Sequence, residues 1–148
     1  LLSRGLGDVY KRQGTSMADG MKLQIVTPTE RFYDGEVTMV ELTTTEGDIG
    51  IYPNHIPLTA VVAPGVLKIH EAGEVKVAAL HSGFITILPE TVTIMAEVVE
   101  WPDEIDFKRA EEARSRAEHR LASKDANLDV LRAEMALKRA LVRLEMKG

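Results

Sequence analysis

Val98-Val99-Glu100-Trp101-Pro102-Asp103-Glu104-Ile105-Asp106 divides the chain into two languages. Before it, short runs of Val, Ile and Thr alternate with Gly and Pro; after it, Ala, Arg and Glu recur at helical spacing to the end. Pro102 cannot donate a ladder hydrogen bond, and Asp103 is a residue type that caps a helix, so a strand is expected to stop and a helix to start here. The predicted fold is α+β, an N-terminal antiparallel β-sandwich followed by a C-terminal antiparallel two-helix hairpin. The expected divisions are a β-sandwich domain over residues 17–102 and a helical hairpin over 103–148. Residues 1–16 carry neither an apolar signal core nor a clear period and are expected to be an expression or sequencing scar.

Upstream of the break, Met21, Leu23 and Ile25 alternate with Lys22 and Gln24, the pattern of a half-buried strand. Further strands are expected at 37–44, 58–62, 66–69, 75–80, 84–88 and 91–99. Turns are expected at Asp34-Gly35, Glu46-Gly47-Asp48, Pro64-Gly65, Ala72-Gly73, Ser82-Gly83 and Pro89-Glu90. Regular spacing of short strands indicates a sandwich or flattened barrel. The segment from Glu46 to Leu58 holds two glycines and two prolines and reads as a fixed irregular loop.

Downstream, helix one is expected over about 105–122, with Phe107, Ala110, Ala113 or Arg114, Ala117 and Leu121 on one stripe. Residues 123–127 supply turn and capping types, and Leu128, Leu131, Met135 and Val142, broadened by Leu137, Leu141 and Leu144, mark helix two. An alanine seam lets helices approach closely but buries little area, so the hairpin should open readily. Trp101 reads as a packing anchor between the halves in preference to a ligand-stacking residue.

Charge follows the same division. The whole chain is at −5, but residues 17–104 hold 4 Lys and Arg against 14 Asp and Glu, while residues 105–148 hold 11 against 8. A body this acidic is a poor nucleic-acid binder. The basic tail could be attracted to its own body, or offered to an acidic partner surface or a polyphosphate. The chain has no Cys, which excludes disulfides and is compatible with a reducing cytosol. It has no apolar run of about 18–20 residues, so a soluble protein is expected.

Catalytic chemistry finds little support. His55, His70 and His81 lack close ligand spacing for a metal. Ser82 lacks the flanking glycines of a nucleophile elbow, and Gly47 and Gly50 do not form a phosphate loop. On the tail, Asp106 and Arg109 are three apart, Arg109 and Arg116 seven, and Arg139 and Arg143 four, so each set shares a helical face. Brought together by the hairpin, they would suit a polyphosphate; by spacing alone, a solvated face of ion pairs is the stronger reading.

The loop Gly47 to Leu58, the Pro64-Gly65 and Ser82-Gly83-Phe84 turns and Ile105-Asp106-Phe107-Lys108-Arg109-Ala110 together resemble the epsilon subunits of bacterial and chloroplast F-type ATP synthases. The resemblance implies a non-catalytic rotor component, with no catalytic residues, catalytic cofactor or metal, on the cytoplasmic face of the bacterial plasma membrane. Such a sandwich docks on the gamma subunit and the c-subunit ring, coupling ion flow to ATP synthesis. The helices fold against it or extend into the catalytic alpha/beta head, where they block ATP hydrolysis. For that contact the resemblance offers Lys108, Arg114, Arg120, Lys124, Arg132 and Lys138. In its ATP-binding branch it implies one regulatory ATP held on the folded hairpin by Glu100, Ile105, Asp106, Arg109, Ala110, Arg116, Arg139 and Arg143. The alternatives are a permanent clamp on gamma without nucleotide sensing, and a small metal-dependent enzyme using His55 and His81.

Overall fold

The computed structural model describes residues 20–123, 125 and 127–147. The expected scar at 1–16 lies outside them. Ten strands come first: β1 (Met21–Val26), β2 (Arg31–Val37), β3 (Met39–Thr44), β4 (Gly47–Ile51), β5 (Leu58–Val62), β6 (Gly65–Glu71), β7 (Glu74–Leu80), β8 (Gly83–Ile87), β9 (Thr91–Ala96) and β10 (Val99–Glu100). A 3-10 turn, Pro102–Glu104, leads to α1 (Phe107–Ala122) and α2 (Val130–Glu145).

The strands run in the order β10-β7-β6-β3-β5-β8-β9-β1-β2, with β4 on β3. Between β3 and β5 the ladder is reduced to Thr44 opposite Val62, and there the sheet turns back on itself to form two layers. Leu23, Ile25, Val40, Ile51, Leu67, Ile69, Ile85, Ile87 and Ile94, drawn from both layers, are fully buried between them. β1 follows the expected alternation, with Met21, Leu23 and Ile25 inside. Pairing is antiparallel except for β1 on β9, which is parallel. These two strands are far apart in sequence, so no tight turn dictates their relative direction.

Several local expectations fail for identifiable reasons. Asp34-Gly35 is not a turn but the middle of β2, where Gly35 pairs with Leu23. A Cβ on Gly35 would come within 2.9 Å of the Tyr33 hydroxyl, so this glycine serves close packing and not chain reversal. The reversal is made at Thr27, whose N–H donates to the Glu30 carbonyl at 2.9 Å. Half of the expected irregular loop is strand: β4 pairs with β3 from Thr44 opposite Gly47 to Val40 opposite Ile51. The expected strand at 91–99 is broken after Ala96.

At the break, Asp103 does not cap a long helix. It lies in the 3-10 turn, where the Trp101 N–H donates to Glu104 Oε1 at 2.8 Å. Asp106 is the N-cap of α1, accepting from the Arg109 N–H at 3.1 Å, and Asp129 caps α2 in the same way through Arg132 at 3.0 Å. Trp101 stacks on Phe32 at 4.4 Å between ring centroids and meets Tyr33 edge-on at 6.4 Å. Its aromatic partners therefore belong to the body, and it packs there instead of between the halves.

The hairpin seam is alanine on both sides, with Ala110 and Ala117 of α1 and Ala133 and Ala140 of α2 buried. The expected stripe of α2 holds in part: Val142 is buried and Leu128, Met135, Leu137 and Leu144 are half-buried, but Leu131 is 70% exposed and Leu141 is 41% exposed. Val142 and Met146, at the C-terminal end of the hairpin, instead pack on the body with Ala79 and Ile105, flanked by Val66, Val77 and Phe107. Leu131 stands eleven residues before Val142, three turns away on nearly the same azimuth. Among the described residues no helix is long and apolar enough to cross a membrane.

Candidate functional site

A cleft of about 430 Å³ opens where the body meets both helices, lined by Glu100, Glu104, Asp106, Arg109, Ala110, Ala113, Arg116 and Arg143. Each wall has a local cause. Pairing of Glu100 with Ala79 of β7 fixes the last strand. The Asp106 cap sets the first turn of α1, so that Arg109, Ala110, Ala113 and Arg116 follow at helical spacing. Docking of Val142 brings its neighbour Arg143 to the body, where Arg143 Nε donates to Glu100 Oε1 at 2.7 Å. The two side chains are 28% and 25% exposed, so the pair is partly shielded from solvent.

Glu100 Oε1 has a second partner, His81 Nε2, at 3.2 Å. His81 is 1% exposed, and its Nδ1 has no hydrogen-bond partner among the described residues. Burial holds the imidazole below its ordinary pKa; the Arg143 guanidinium adds to this, Glu100 opposes it and Arg139 reinforces it. The neutral imidazole thus donates Nε2–H to the carboxylate.

Of the eight residues expected to hold ATP, Glu100, Asp106, Arg109, Ala110, Arg116 and Arg143 share this cleft. Ile105 lies behind it in the apolar contact with Ala79, Val142 and Met146. Arg139 does not line the cleft, but its charge reaches His81. Glu104 and Ala113 complete the lining without having been expected there, and His81 was expected only in the metal alternative. The sequence offers no sign that His81 stands behind Glu100, because only the pairing of β10 with β7 brings them together.

Of the six cations expected at the catalytic head, the five among the described residues do not share one cleft. Lys108 is exposed, and Arg114 is paired with Glu111 and lies 3.9 Å from Glu118. Arg120 and Arg132 share a cleft of about 500 Å³ beside Asp125 and Asp129. Lys138 lies over the body in a groove shared with Glu41 and Asp48. Lys124 is outside the described residues. The histidines are separate too: His55 Nδ1 is 2.7 Å from the Ile56 carbonyl, and His70 Nε2 is 2.6 Å from Glu41 Oε2. Among the described residues no cluster of three His, Cys, Asp or Glu could hold a metal, which leaves the metal-enzyme alternative without a site there. Ser82 donates to Glu97 and serves its turn.

Residues 20–102 match the family described as "ATP synthase, Delta/Epsilon chain, beta-sandwich domain", and residues 103–148 match "ATP synthase, Delta/Epsilon chain, long alpha-helix domain". The chain belongs to the ATP synthase delta/epsilon family. Within it, the chain is similar to proteins named ATP synthase epsilon chain, as the sequence resemblance implied. The one from Clostridium novyi is 47% identical over 131 residues, covering 88% of this chain and 99% of the relative. That from Halalkalibacterium halodurans is 42% identical over 129 residues, covering 86% and 97%. Among solved structures, a chain of the Euglena gracilis mitochondrial ATP synthase superposes with a TM-score of 0.77, covering 92% of this chain and 86% of its own length. At 21% identity that likeness speaks for the fold alone.

For this epsilon-like chain, the cleft offers chemistry of two kinds. Arg109 and Arg116 are exposed at its mouth and can pair with phosphate oxygens in bidentate fashion. Glu100, Glu104 and Asp106 are acceptors for hydroxyl or amino donors. The volume lies within the range of about 300–1,000 Å³ usual for small-molecule sites.

Proposed function

We propose that this chain is a non-catalytic central-stalk subunit of an F-type ATP synthase, whose helical hairpin binds ATP when folded on the sandwich and inhibits ATP hydrolysis when released. The sandwich is the fixed attachment to the gamma subunit and the c-subunit ring, through which ion flow is coupled to ATP synthesis. The released hairpin reaches the catalytic alpha/beta head. The protein then sits peripherally on the cytoplasmic face of the membrane as part of the complex.

The observation that carries the nucleotide part is the composition of the cleft. Glu100 and Glu104 come from the end of the body and the connecting turn, Asp106 to Arg116 from α1, and Arg143 from α2. A site built from three pieces exists only while they are assembled. A ligand in it therefore favours the folded form by RT ln(1 + [L]/Kd), about 2.7 kcal/mol at 100 times Kd.

The test is titration of the isolated protein with ATP while observing the Arg109 and Arg139 amides, with Arg109→Ala as control. Saturable shifts that Arg109→Ala weakens support the reading. No saturable response at millimolar ATP ends the sensor claim and leaves the rotor assignment. Removal of residues 105–148 from the reconstituted enzyme should raise hydrolysis; an unchanged rate would favour a permanent clamp.

A further inference from the structure

We propose that His81 is a positioning residue that ties attachment of the hairpin to proton concentration, so that acidification releases α2 from the body. The inference concerns docking and stands without nucleotide; only its consequence for ATP rests on the reading above.

Three observations meet at one oxygen. Glu100 Oε1 accepts from Arg143 Nε of α2 at 2.7 Å and faces His81 Nε2 of the body at 3.2 Å. Glu100 is therefore the joint between a buried imidazole and the movable helix. His81 is 1% exposed, and no partner is available at Nδ1 among the described residues to satisfy a second N–H. An imidazolium would carry that second donor into a buried site.

The charged groups acting on His81 are Glu100 from β10 and Arg143 and Arg139 from α2. Glu100 would stabilise a cation, but Arg143 already brings positive charge to the same carboxylate oxygen, and a protonated His81 is repelled by it and by Arg139. Burial and the two arginines outweigh the carboxylate and keep the imidazole neutral. When α2 leaves, both guanidinium charges leave with it. The imidazole then returns toward its ordinary value, about 6.5.

A group that binds its proton more tightly in the released state makes release proton-linked. Docking is at full strength above about pH 6.5 and weakens below it, by at most about tenfold in the docking constant per pH unit for one proton. The window from pH 7.5 to 5.5 brackets the ordinary imidazole value, about 6.5. The consequence for ATP is that its affinity falls in step with docking as pH drops.

The experiment is amide hydrogen exchange of α2 in the full chain without nucleotide, from pH 7.5 to 5.5. Intrinsic exchange rates are corrected for, and wild type is compared with His81→Gln, which keeps a donor but cannot titrate. Opening of α2 should rise several-fold on acidification in wild type and by less than about twofold in the variant, with β6 and β7 unaffected. Equal pH profiles in both proteins, or tighter docking at low pH, overturn the proposal. If His81→Gln does not fold, the wild-type imidazole titration followed by NMR decides the matter: Arg143→Ala should raise its midpoint, and an unmoved midpoint overturns the proposal. A second arm repeats the comparison with ATP. Absence of ATP binding at both pH values removes the nucleotide reading and leaves the docking result to stand or fall alone.

Discussion

Val142→Ala should loosen the hairpin without loosening the body. Val142 is 7% exposed and packs with Ala79, Ile105 and Met146, the apolar part of the contact between α2 and the sheet. The substitution removes two methyl-sized groups, about 0.8 kcal/mol each, or about 1.6 kcal/mol if the gap does not collapse. Alanine is the better helix former by about 0.5 kcal/mol, which acts in the opposite direction only if α2 melts as it leaves. Release of an intact helix should thus raise the opening constant about 15-fold, and release with melting about sixfold. Amide exchange of α2, read beside that of β6 and β7, distinguishes these outcomes. Equal acceleration in helix and strands would refute the reasoning, since the hairpin would then open only with the whole protein. So would an unchanged α2, since the apolar contact would then contribute nothing to docking.

Gly83→Ala should cost more than about 3 kcal/mol and lower the melting temperature by roughly 10 °C. Gly83 has φ +152°, and a Cβ there would lie 2.0 Å from the Met95 carbonyl oxygen, a backbone atom that cannot step aside. Leu131→Lys should leave stability within about 0.5 kcal/mol in thermal or denaturant melts, because the side chain is 70% exposed. Tyr33 is held neutral far above its ordinary value, chiefly by burial and then by the Glu71 carboxylate that accepts from its hydroxyl. As pH rises above about 10, the unfolded tyrosine ionises and the folded one does not, so wild-type stability should fall by about 1.4 kcal/mol per pH unit more than that of Tyr33→Phe in denaturant melts.

What was legible in the sequence is what depends on period and on residue type at a fixed offset. Alternation at Met21, Leu23 and Ile25 fixes which face of β1 is inside, and spacing of Ala110 and Ala117 fixes the seam of α1. The failures lie where a tertiary contact decides between two local options. Gly35 looks like a turn until the Tyr33 ring is seen beside it, and Leu131 looks like core until the body is found to meet the other end of α2. Asp103 and Asp106 are both competent caps, and the 3-10 turn begun at Pro102 leaves the second to cap α1. Of the cleft, Arg109, Arg116 and Arg143 were legible through the family resemblance, since their spacing alone favoured a solvated face. His81 and Glu104 were not, since one is brought in by a strand pairing and the other by a turn.

The weakness of the hairpin contact is a requirement of the proposed switch. A ligand at 100 times its Kd shifts the balance by about 2.7 kcal/mol, and loss of one neutral imidazole shifts it by at most about 1.4 kcal/mol per pH unit. Neither could govern a helix held by a large leucine core. Here the seam is alanine, the apolar contact to the body centres on Val142 and Met146, and the polar contact among the described residues runs through one shared carboxylate. Deepening the apolar contact should therefore blunt both responses at once. Ala79→Val, by adding bulk at a site already 0% exposed, tests the opposite limit. Overpacking there should cost about 1–3 kcal/mol, release α2 at neutral pH, and leave a hairpin that acidification has little left to release.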